Sequence, residues 1–481
     1  MKATTLSMTA EGARGGRQLH PILLPALFFG FVLVLILLRL GRVVELFYPV
    51  GALIVGLVAY RRNPAHYVSF MCWLYFLSPE VRRIADFFNS AYNPISPIQM
   101  APMLVATLSA LTVLTHYRVV ATRRAFPSLL LTLALLYALV IGIIRNSPAS
   151  AVFSFAYAML PIFIGFHILA TWKHYPAYAR ALVSTFSWGM LVIGVYGVIQ
   201  YVVMPPWDAM WMIRSGIGSV GEPFPMSFRV FSTLNSPGPL ANVLMAGLLF
   251  LLAGRGKVVW IGAASGLVVL LLTAVRSAWG GAVIGALYAL ACIDSRTRIR
   301  VIFGIVVVAA LSIPMFAFDD FAKPVVDRMQ SMSSIQNDRS FQVRMQFYES
   351  FVAVATSDIA GQGMGSTGVG TKLDSATSQL GKYGVFDSGL MEIPFVMGWP
   401  GTVLYVTGLL WMVARAMRRG LMMKSNRLAA AAVGTSVGLL SMLVFSNTLG
   451  AFDGILFQIG VTLPVIGHRY ASMLAVAERP S

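Results

Sequence analysis

Long apolar runs alternate along this chain with short connections that contain most of the charged residues. A helix needs about 20 residues to cross the hydrocarbon core of a bilayer, so this pattern predicts about fourteen transmembrane helices. The run at 65–78 is short for a full crossing. Helices are expected because backbone groups in lipid must be hydrogen-bonded within their own segment. The predicted spans are 22–38, 43–60, 65–78, 98–116, 127–144, 149–171, 181–203, 236–253, 258–274, 279–293, 301–317, 389–413, 428–446 and 454–475.

The overall composition supports a membrane protein. Hydrophobic residues make up 57% of the chain and charged residues only 11%, and the mean hydropathy is +0.76. A soluble domain has about a quarter charged residues. We therefore predict an all-α polytopic membrane protein in which residues 1–481 form a single integral membrane domain.

The positions of the positive charges predict the orientation of the chain. The formal net charge is +18. If the N-terminus is inside, most Lys and Arg residues lie in short connections that face the cytoplasm, as the positive-inside rule requires. This arrangement differs from a basic groove, so we predict no nucleic-acid partner. Both termini are predicted to be cytoplasmic.

The same orientation places three polar segments outside. The first, 79–97, and the second, 204–235, are predicted loops, and Trp207 and Trp211 in the second suggest interfacial belt residues. The third, 318–388, is one large extracytoplasmic loop. Its "GQGMGSTG" stretch has GxGxG spacing and no preceding strand, so it predicts a flexible turn with close backbone approach rather than a dinucleotide site.

Elsewhere in the chain, glycine and cysteine residues have a structural interpretation. Gly281 and Gly285 lie at small-xxx-small spacing, which predicts close packing between helices. The two cysteines, Cys72 and Cys292, fall in apolar runs and have no metal-ligand or disulfide spacing.

Arg229, in "FRVFSTLNSPGPLAN", is a candidate anion-binding residue. It either extends to the membrane interface or binds an anion beside a helix start. The sequence from Asn235 to Gly238 favours a broken helix start, where free N–H groups and the positive dipole end suit a phosphate. Arg276, in "TAVRSAWGG", is predicted to extend to the interface or to line the same cavity.

Two further candidates lie in a predicted helix of the large loop, which begins at Asp338 or Ser340. Arg344 lies one turn from Tyr348, next to an apolar stripe that needs a surface to cover. Arg344 then either faces a cavity below the loop or is a solvated surface residue.

The end of the loop contains carboxylates at the membrane edge. Asp387 and Ser388 precede the next span, and Glu392 follows about one turn later. Asp387 suits a general base, a helix N-cap, or both. Asp319 and Asp320 are a competing acidic pair. Clusters of His and Cys with metal-ligand spacing do not occur in the sequence, so we predict no metal site.

Several motifs together resemble a known family. In order they are "GVIQY" with Gln200, "FRVFSTLNSPGPLA", "LTAVRSAWGG", "VRMQFYESFVAVATSDIAGQGMG" and "FDSGLMEIPFVMGWPGTVLY", over roughly residues 180 to 415. Their order around one large outer loop resembles the O-antigen ligase and polymerase superfamily of bacterial envelope glycan assembly.

The resemblance implies a fold and a set of site residues. It implies a GT-C-like helical bundle in the bacterial inner membrane, with an outward-facing cavity below the periplasmic loop 318–388. The implied donor is an undecaprenyl-diphosphate-linked oligosaccharide, with no cofactor. Arg229 and Arg344 match the ligase arginines that grip the donor diphosphate. Ligases have a loop histidine where this chain has Asp387, which favours the polymerases.

We therefore predict a membrane glycosyltransferase that polymerises exopolysaccharide or O-antigen repeat units on the periplasmic face. Asp387 is the predicted catalytic residue, and Arg229, Arg344 and Arg276 bind the diphosphate. The supporting candidates are Asn235, Tyr348, Ser388 and Glu392. The alternatives are a ligase that transfers glycan to lipid A core and a lipid-linked oligosaccharide flippase. The lipid bilayer is a partner, and a chain-length regulator or an export complex is a further candidate partner.

Overall fold

A computed structural model describes residues 23–333, 358–373 and 388–478. These residues are helical, apart from connections and one isolated antiparallel bridge between Gly221 and Phe228, which confirms the all-α prediction. The first helices are α1 Leu23–Leu37, α2 Gly41–Arg62, α3 Pro64–Phe88, α4 Pro97–Thr107, α5 Leu111–Thr115, α6 Tyr117–Val120, α7 Phe126–Arg145, α8 Pro148–Ala170, α9 Tyr175–Val203 and α10 Pro206–Ser215. The others are α11 Pro237–Leu251, α12 Lys257–Leu272, α13 Arg276–Ala291, α14 Ser295–Ser312, α15 Asp319–Ser333, α16 Gly389–Met422, α17 Arg427–Ser441 and α18 Ala451–Ala477.

A helix lies at each of the fourteen predicted runs. Among the described residues, 9 helical stretches are long and apolar enough to cross a membrane. The apolar helices α1, α11 and α12 are shorter, with 15, 15 and 16 residues. At 1.5 Å per residue they span about 23 Å, less than a hydrocarbon core of about 30 Å. The helices are consistent with a polytopic membrane protein, and the count of fourteen spans stays a prediction.

Helix α3 differs from its prediction. The chain does not leave the helix near residue 78 but continues to Phe88, so residues 79–88 are helical and not part of an outer loop. Four charged side chains in this extension are buried. These charges are paired within the protein, as buried charges must be. The helix can therefore continue past residue 78, where the apolar run ends. The four residues are Glu80, Arg82, Arg83 and Asp86.

The basic connections lie together at one end of the bundle, here called the connector end. An Arg415 guanidinium N–H donates to the carbonyl oxygen of Arg124 (2.6 Å), and the Asn426 side-chain amide donates to the Tyr175 hydroxyl (2.6 Å). The connections 89–96, 204–236 and 273–275 lie at the other end, here called the loop end, where Arg82 contacts Asn93, Arg83 contacts Leu234 and Arg229 contacts Thr273. These contacts agree with the predicted grouping of the basic connections, and both the full grouping and its assignment to the cytoplasm stay predictions.

Helices α13 and α17 pack closely through glycines. A Cβ atom added at Gly285 would lie 2.6 Å from the carbonyl oxygen of Gly434, and one at Gly281 would lie 3.1 Å from that of Gly438. These approaches leave no room for a side chain, which confirms the predicted close packing. Cys72 and Cys292 are buried and free.

Candidate active site

Arg83, an arginine buried in α3, contacts three elements at the loop end. The Arg83 side chain is fully buried, and its Nε lies 2.7 Å from the Asp208 carboxylate of α10. It also pairs with Glu80, one turn earlier on α3. Its remaining N–H groups donate to the carbonyl oxygens of Ser232 and Leu234. One guanidinium thus joins α3, α10 and the extended segment before α11.

The two carboxylates have further donors. The Tyr196 hydroxyl donates to Glu80 (2.5 Å), as does the Trp207 indole N–H (2.7 Å). The Gln200 amide donates to Asp208 (2.7 Å). A buried ion pair with such hydrogen bonds is far less costly than one without them.

Gln200 also fixes the segment on its other side. Its side-chain oxygen accepts from the backbone N–H groups of Phe231 (3.3 Å) and Ser232 (2.7 Å). Trp211 is buried, with the Arg83 guanidinium 5.7 Å from its ring centroid. The interpretation of Trp207 and Trp211 as belt residues is therefore wrong, because both pack around the buried charges.

The Arg229 side chain is directed by backbone carbonyls. Its Nε–H donates to Thr273 (2.9 Å) and its Nη1–H to Ser219 (3.4 Å), and its backbone N–H donates to Val220 (2.7 Å). Arg229 is half-buried. These protein contacts disfavour the alternative of a side chain extending along lipid to the interface.

Arg276 lies close to Arg229. Arg276 is the first residue of α13 and lies three residues after Thr273. The Thr273 carbonyl oxygen accepts a hydrogen bond from Arg229. Arg276 is also half-buried. The fold thus brings the side chain of Arg229 onto the connection 273–275, directly before Arg276, which is 47 positions later in the sequence.

Helix α11 begins next to this connection, as predicted. Ser236 is extended, with φ −161° and ψ 160°, and makes no side-chain cap to the helix that starts at Pro237. The Asn235 side-chain oxygen accepts from the Gln99 amide of α4 (3.3 Å). Uncapped N–H groups at a helix start attract anions, so the predicted phosphate role stays physically sound and stays a prediction.

The start of the large loop packs over the same region. The Tyr201 hydroxyl donates to the Asp320 carbonyl oxygen (2.6 Å), and the Tyr201 and Phe321 rings are 5.1 Å apart. Asp319 and Asp320 are exposed in the first turn of α15, where carboxylates favour the helix dipole. Three predicted site residues, Arg344, Tyr348 and Asp387, lie outside the described residues.

The glycine-rich segment, residues 361–368 ("GQGMGSTG"), is inserted between α7 and α16. The Gln362 and Gly363 N–H groups donate to the Phe395 and Val396 carbonyls of α16, at 2.8 and 2.9 Å. The Met364 N–H donates to Ala138 of α7 (2.8 Å). The prediction of a flexible turn is therefore wrong, because the segment is hydrogen-bonded to α16 on one side and to α7 on the other.

Glycine is required in this segment for two reasons. Gly361 and Gly363 have φ values of +82° and +77°, and an added Cβ would lie 2.2 Å from the backbone nitrogen of Gly398 and Gly142, respectively. The predicted close backbone approach is therefore confirmed. Gly398, with φ +58°, breaks α16 where the segment enters. An Arg145 hydrogen bond lowers the pKa of the Asp358 carboxyl and fastens the start of the segment.

Glu392 receives two hydrogen bonds near the start of α16. One carboxylate oxygen accepts from the Thr367 hydroxyl (2.7 Å), and the other accepts from the Asn447 amide (2.6 Å). The Ser388 hydroxyl, one turn earlier, is buried and has no hydrogen-bond partner among the described residues. The fold thus joins the glycine-rich segment, α16 and the connection before α18 through one carboxylate.

A further polar pair was not predicted from the sequence. The Asn242 amide of α11 donates to the Asp453 carboxylate of α18 (2.5 Å). Asn242 falls inside a predicted apolar run and Asp453 directly precedes one. Polar groups inside or beside apolar runs commonly mark functional sites, so these positions could have been predicted from the sequence on that ground.

The fold and site define a polytopic helical membrane protein whose loop end gathers arginine, carboxylate and amide side chains. Residues 240–406 match the family model described as O-antigen ligase. The match is consistent with the O-antigen ligase and polymerase superfamily and confirms the resemblance predicted from the sequence. It includes Arg276 and Glu392, and it begins shortly after Arg229 and Asn235.

The matched family implies glycosyl transfer of the O-antigen ligase or polymerase type, by membrane-embedded enzymes on lipid-linked oligosaccharide substrates. A search of curated proteins finds no match to this chain.

Proposed function

We propose that this protein polymerises oligosaccharide repeats carried on undecaprenyl diphosphate, at the outer face of the bacterial inner membrane. The observation that supports this most is that Arg229, in the segment leading to the α11 start, contacts the connection 273–275 directly before Arg276. Guanidinium groups bind phosphate oxygens through paired N–H donors and stay charged at any working pH. A lipid diphosphate is a natural ligand for such a connection.

In the proposed reaction, an acceptor sugar hydroxyl attacks the anomeric carbon of the donor. A new glycosidic C–O bond forms, the bond from that carbon to the diphosphate oxygen breaks, and the hydroxyl proton passes to a base. The protein must align two chains and stabilise the negative charge that grows on the leaving diphosphate. Arg229, Arg276 and Arg344 are proposed for the second task.

Asp387 is the proposed base, directly before Ser388 at the start of α16. Glu392 is proposed to support this region because it joins α16 to Thr367 and Asn447 by hydrogen bonds. Asn235, Ser388 and Tyr348 are proposed to complete the lining. A carboxylate base near arginines would stay ionised and ready to accept a proton.

The test is incubation of the purified full-length protein with a lipid-linked repeat unit. A ladder of products with increasing numbers of repeats is expected. Movement of the lipid across a vesicle membrane without any new glycosidic bond would instead establish a flippase and refute the proposal.

A ligase is the second candidate, because the family model that matches residues 240–406 is described as O-antigen ligase. In the same assay, an added lipid A core acceptor distinguishes the two enzymes. A ligase gives one transfer to the core and no ladder, whereas a polymerase extends the lipid-linked repeat without the core.

A further inference from the structure

A cleft of about 840 Å³ opens at the connector end, remote from the candidate active site. It lies between α9, the α11–α12 connection and the α16–α17 connection. Three arginines line it, namely Arg180 of α9, Arg255 of the α11–α12 connection and Arg427 at the start of α17. None of the described residues that line the cleft is acidic, so its charge is positive.

These arginines are available to a ligand. Within the described ranges they form no hydrogen bond or ion pair with the protein. A second basic cleft, of about 550 Å³ beside α16, differs in this respect. There, Arg415 donates to the carbonyl oxygen of Arg124, and an Arg419 nitrogen lies 3.0 Å from the His468 ring. The α9 cleft is therefore the better anion site.

An apolar stripe leads out of the cleft along α9. Trp188 lines the cleft and is 50% exposed. Val192, Val195 and Ile199 continue from it at helical spacing and are 37%, 38% and 46% exposed. From Trp188 to Ile199 the helix rises about 16 Å, and the whole stripe lies inside the predicted span 181–203. Arg180 lies just before that span, so a ligand with a charged end at the arginines and an apolar chain along the helix fits both features.

We propose that this cleft binds an anionic glycerophospholipid. The headgroup phosphate contacts Arg180, Arg255 and Arg427, and an acyl chain lies along the α9 stripe below Trp188. A soluble phosphate could use the arginines but not the stripe, so the combination favours a lipid. A lipid held there joins three separate connections of the bundle, and the site does not depend on the proposed glycosyl transfer.

The test is native mass spectrometry of the delipidated full-length protein, titrated with phosphatidylglycerol or with phosphatidylcholine. We expect phosphatidylglycerol to bind preferentially. The variant Arg180→Gln/Arg255→Gln/Arg427→Gln should bind it about a hundredfold more weakly, because each arginine near a membrane surface contributes about a factor of five. A thermal melt without lipid shows whether the variant is folded.

The matched control is Arg61→Gln/Arg118→Gln/Arg296→Gln, which removes three exposed charges at the same end outside the cleft. It should retain wild-type affinity. Equal loss in both variants, equal binding of phosphatidylcholine, or a thermal shift by inorganic phosphate that matches the lipid would each overturn the proposal. If the cleft variant does not fold, Arg180→Gln and Arg255→Gln are titrated singly, and unchanged lipid affinity in both overturns it.

Discussion

Arg83 joins three elements of the loop end. Its guanidinium contacts two carboxylates and two backbone carbonyls, from α3, α10 and the segment before α11. One positive charge thus lies between two negative charges in a buried environment. Removal of that charge would leave Glu80 and Asp208 facing each other without compensation.

The first prediction concerns stability. Arg83→Met should destabilise the protein by about 3–5 kcal/mol, because breaking a buried pair from one side leaves uncompensated charge. The measurement is the unfolding midpoint in detergent. Arg214→Met, at an exposed position of the same end, is the control and should have little effect. Adding Glu80→Gln and Asp208→Asn to Arg83→Met should recover part of the loss; no recovery would contradict the charge argument.

The second prediction concerns diphosphate binding. Arg229→Lys should reduce product formation about ten- to a hundredfold while the unfolding midpoint changes little. Lysine keeps the charge but cannot donate to Thr273 and to a phosphate from one planar group. The rate is measured with the lipid-linked repeat, and Arg214→Lys is the matched control. A wild-type rate in Arg229→Lys would remove Arg229 from the diphosphate site.

The third prediction separates charge from geometry at Glu392. In Glu392→Gln the amide can turn its oxygen to Asn447 and its NH2 group to the Thr367 hydroxyl, so both contacts are kept. Stability should therefore be retained, and the rate of product formation should stay close to that of the wild type, because the proposed support by Glu392 rests on these two hydrogen bonds. Thermal unfolding and the polymerisation assay are compared on one preparation. A large loss of rate at unchanged stability would contradict a purely supporting role and show that the carboxylate charge itself is needed.

The sequence predicted some of these residues and missed others for a physical reason. Arg229 stood out because a broken helix start follows it in the sequence, and Arg276 because it lies between two apolar runs on the same predicted side. Glu80 and Arg83 looked like loop residues, because the distant partners, Trp207 for Glu80 and Asp208 for Arg83, are more than a hundred positions away. Local hydrophobicity contains no information about such a pairing.

At the scale of elements, the glycine-rich segment and the broken helix α16 form one unit. The segment enters where Gly398 interrupts the helix, and its N–H groups bond the exposed carbonyls of Phe395 and Val396. Non-helical backbone at membrane depth is tolerated only where the protein satisfies it. The glycines in the sequence predicted close approach, but the partners Gly142 and Gly398 could be found only from the fold.

The fourth prediction tests this unit. Gly363→Ala should lower the unfolding midpoint strongly, because its Cβ would lie 2.2 Å from the Gly142 nitrogen in addition to the positive φ. Gly368→Ala is the matched control, since Gly368 has φ +71° but open space around it. Gly368→Ala should lower the free energy of unfolding by about 1–2 kcal/mol, which is the penalty of the left-handed backbone conformation alone. Equal effects in both variants would contradict the inserted arrangement.

At the scale of the whole molecule, the apolar runs sufficed to predict where most helices form, and the contacts at the connector end agree with the predicted grouping of the basic connections. Helix α3 was one exception, because its charged second half is stabilised by distant partners. Helices α10 and α15 were others, since both form within segments that were predicted as loops. The side of the membrane that each end faces follows only from the charge asymmetry.

The fifth prediction tests that orientation. Starting from Cys72→Ala/Cys292→Ala, a cysteine is introduced by Arg214→Cys at the loop end or by Arg118→Cys at the connector end, both exposed positions. A membrane-impermeant maleimide should label the first in intact spheroplasts and the second only after permeabilisation. The reverse labelling would invert the topology and exclude a periplasmic site at the loop end.

The buried pairing of Arg83 also has a consequence for how the chain is assembled during synthesis. Asp208 leaves the ribosome about 125 residues after Arg83, which at about 5–20 residues per second is a delay of about 6–25 s. During that interval Arg83 can pair only with Glu80 of its own helix. We infer that the charged half of α3 reaches its final buried arrangement only when α10 brings Asp208 to it.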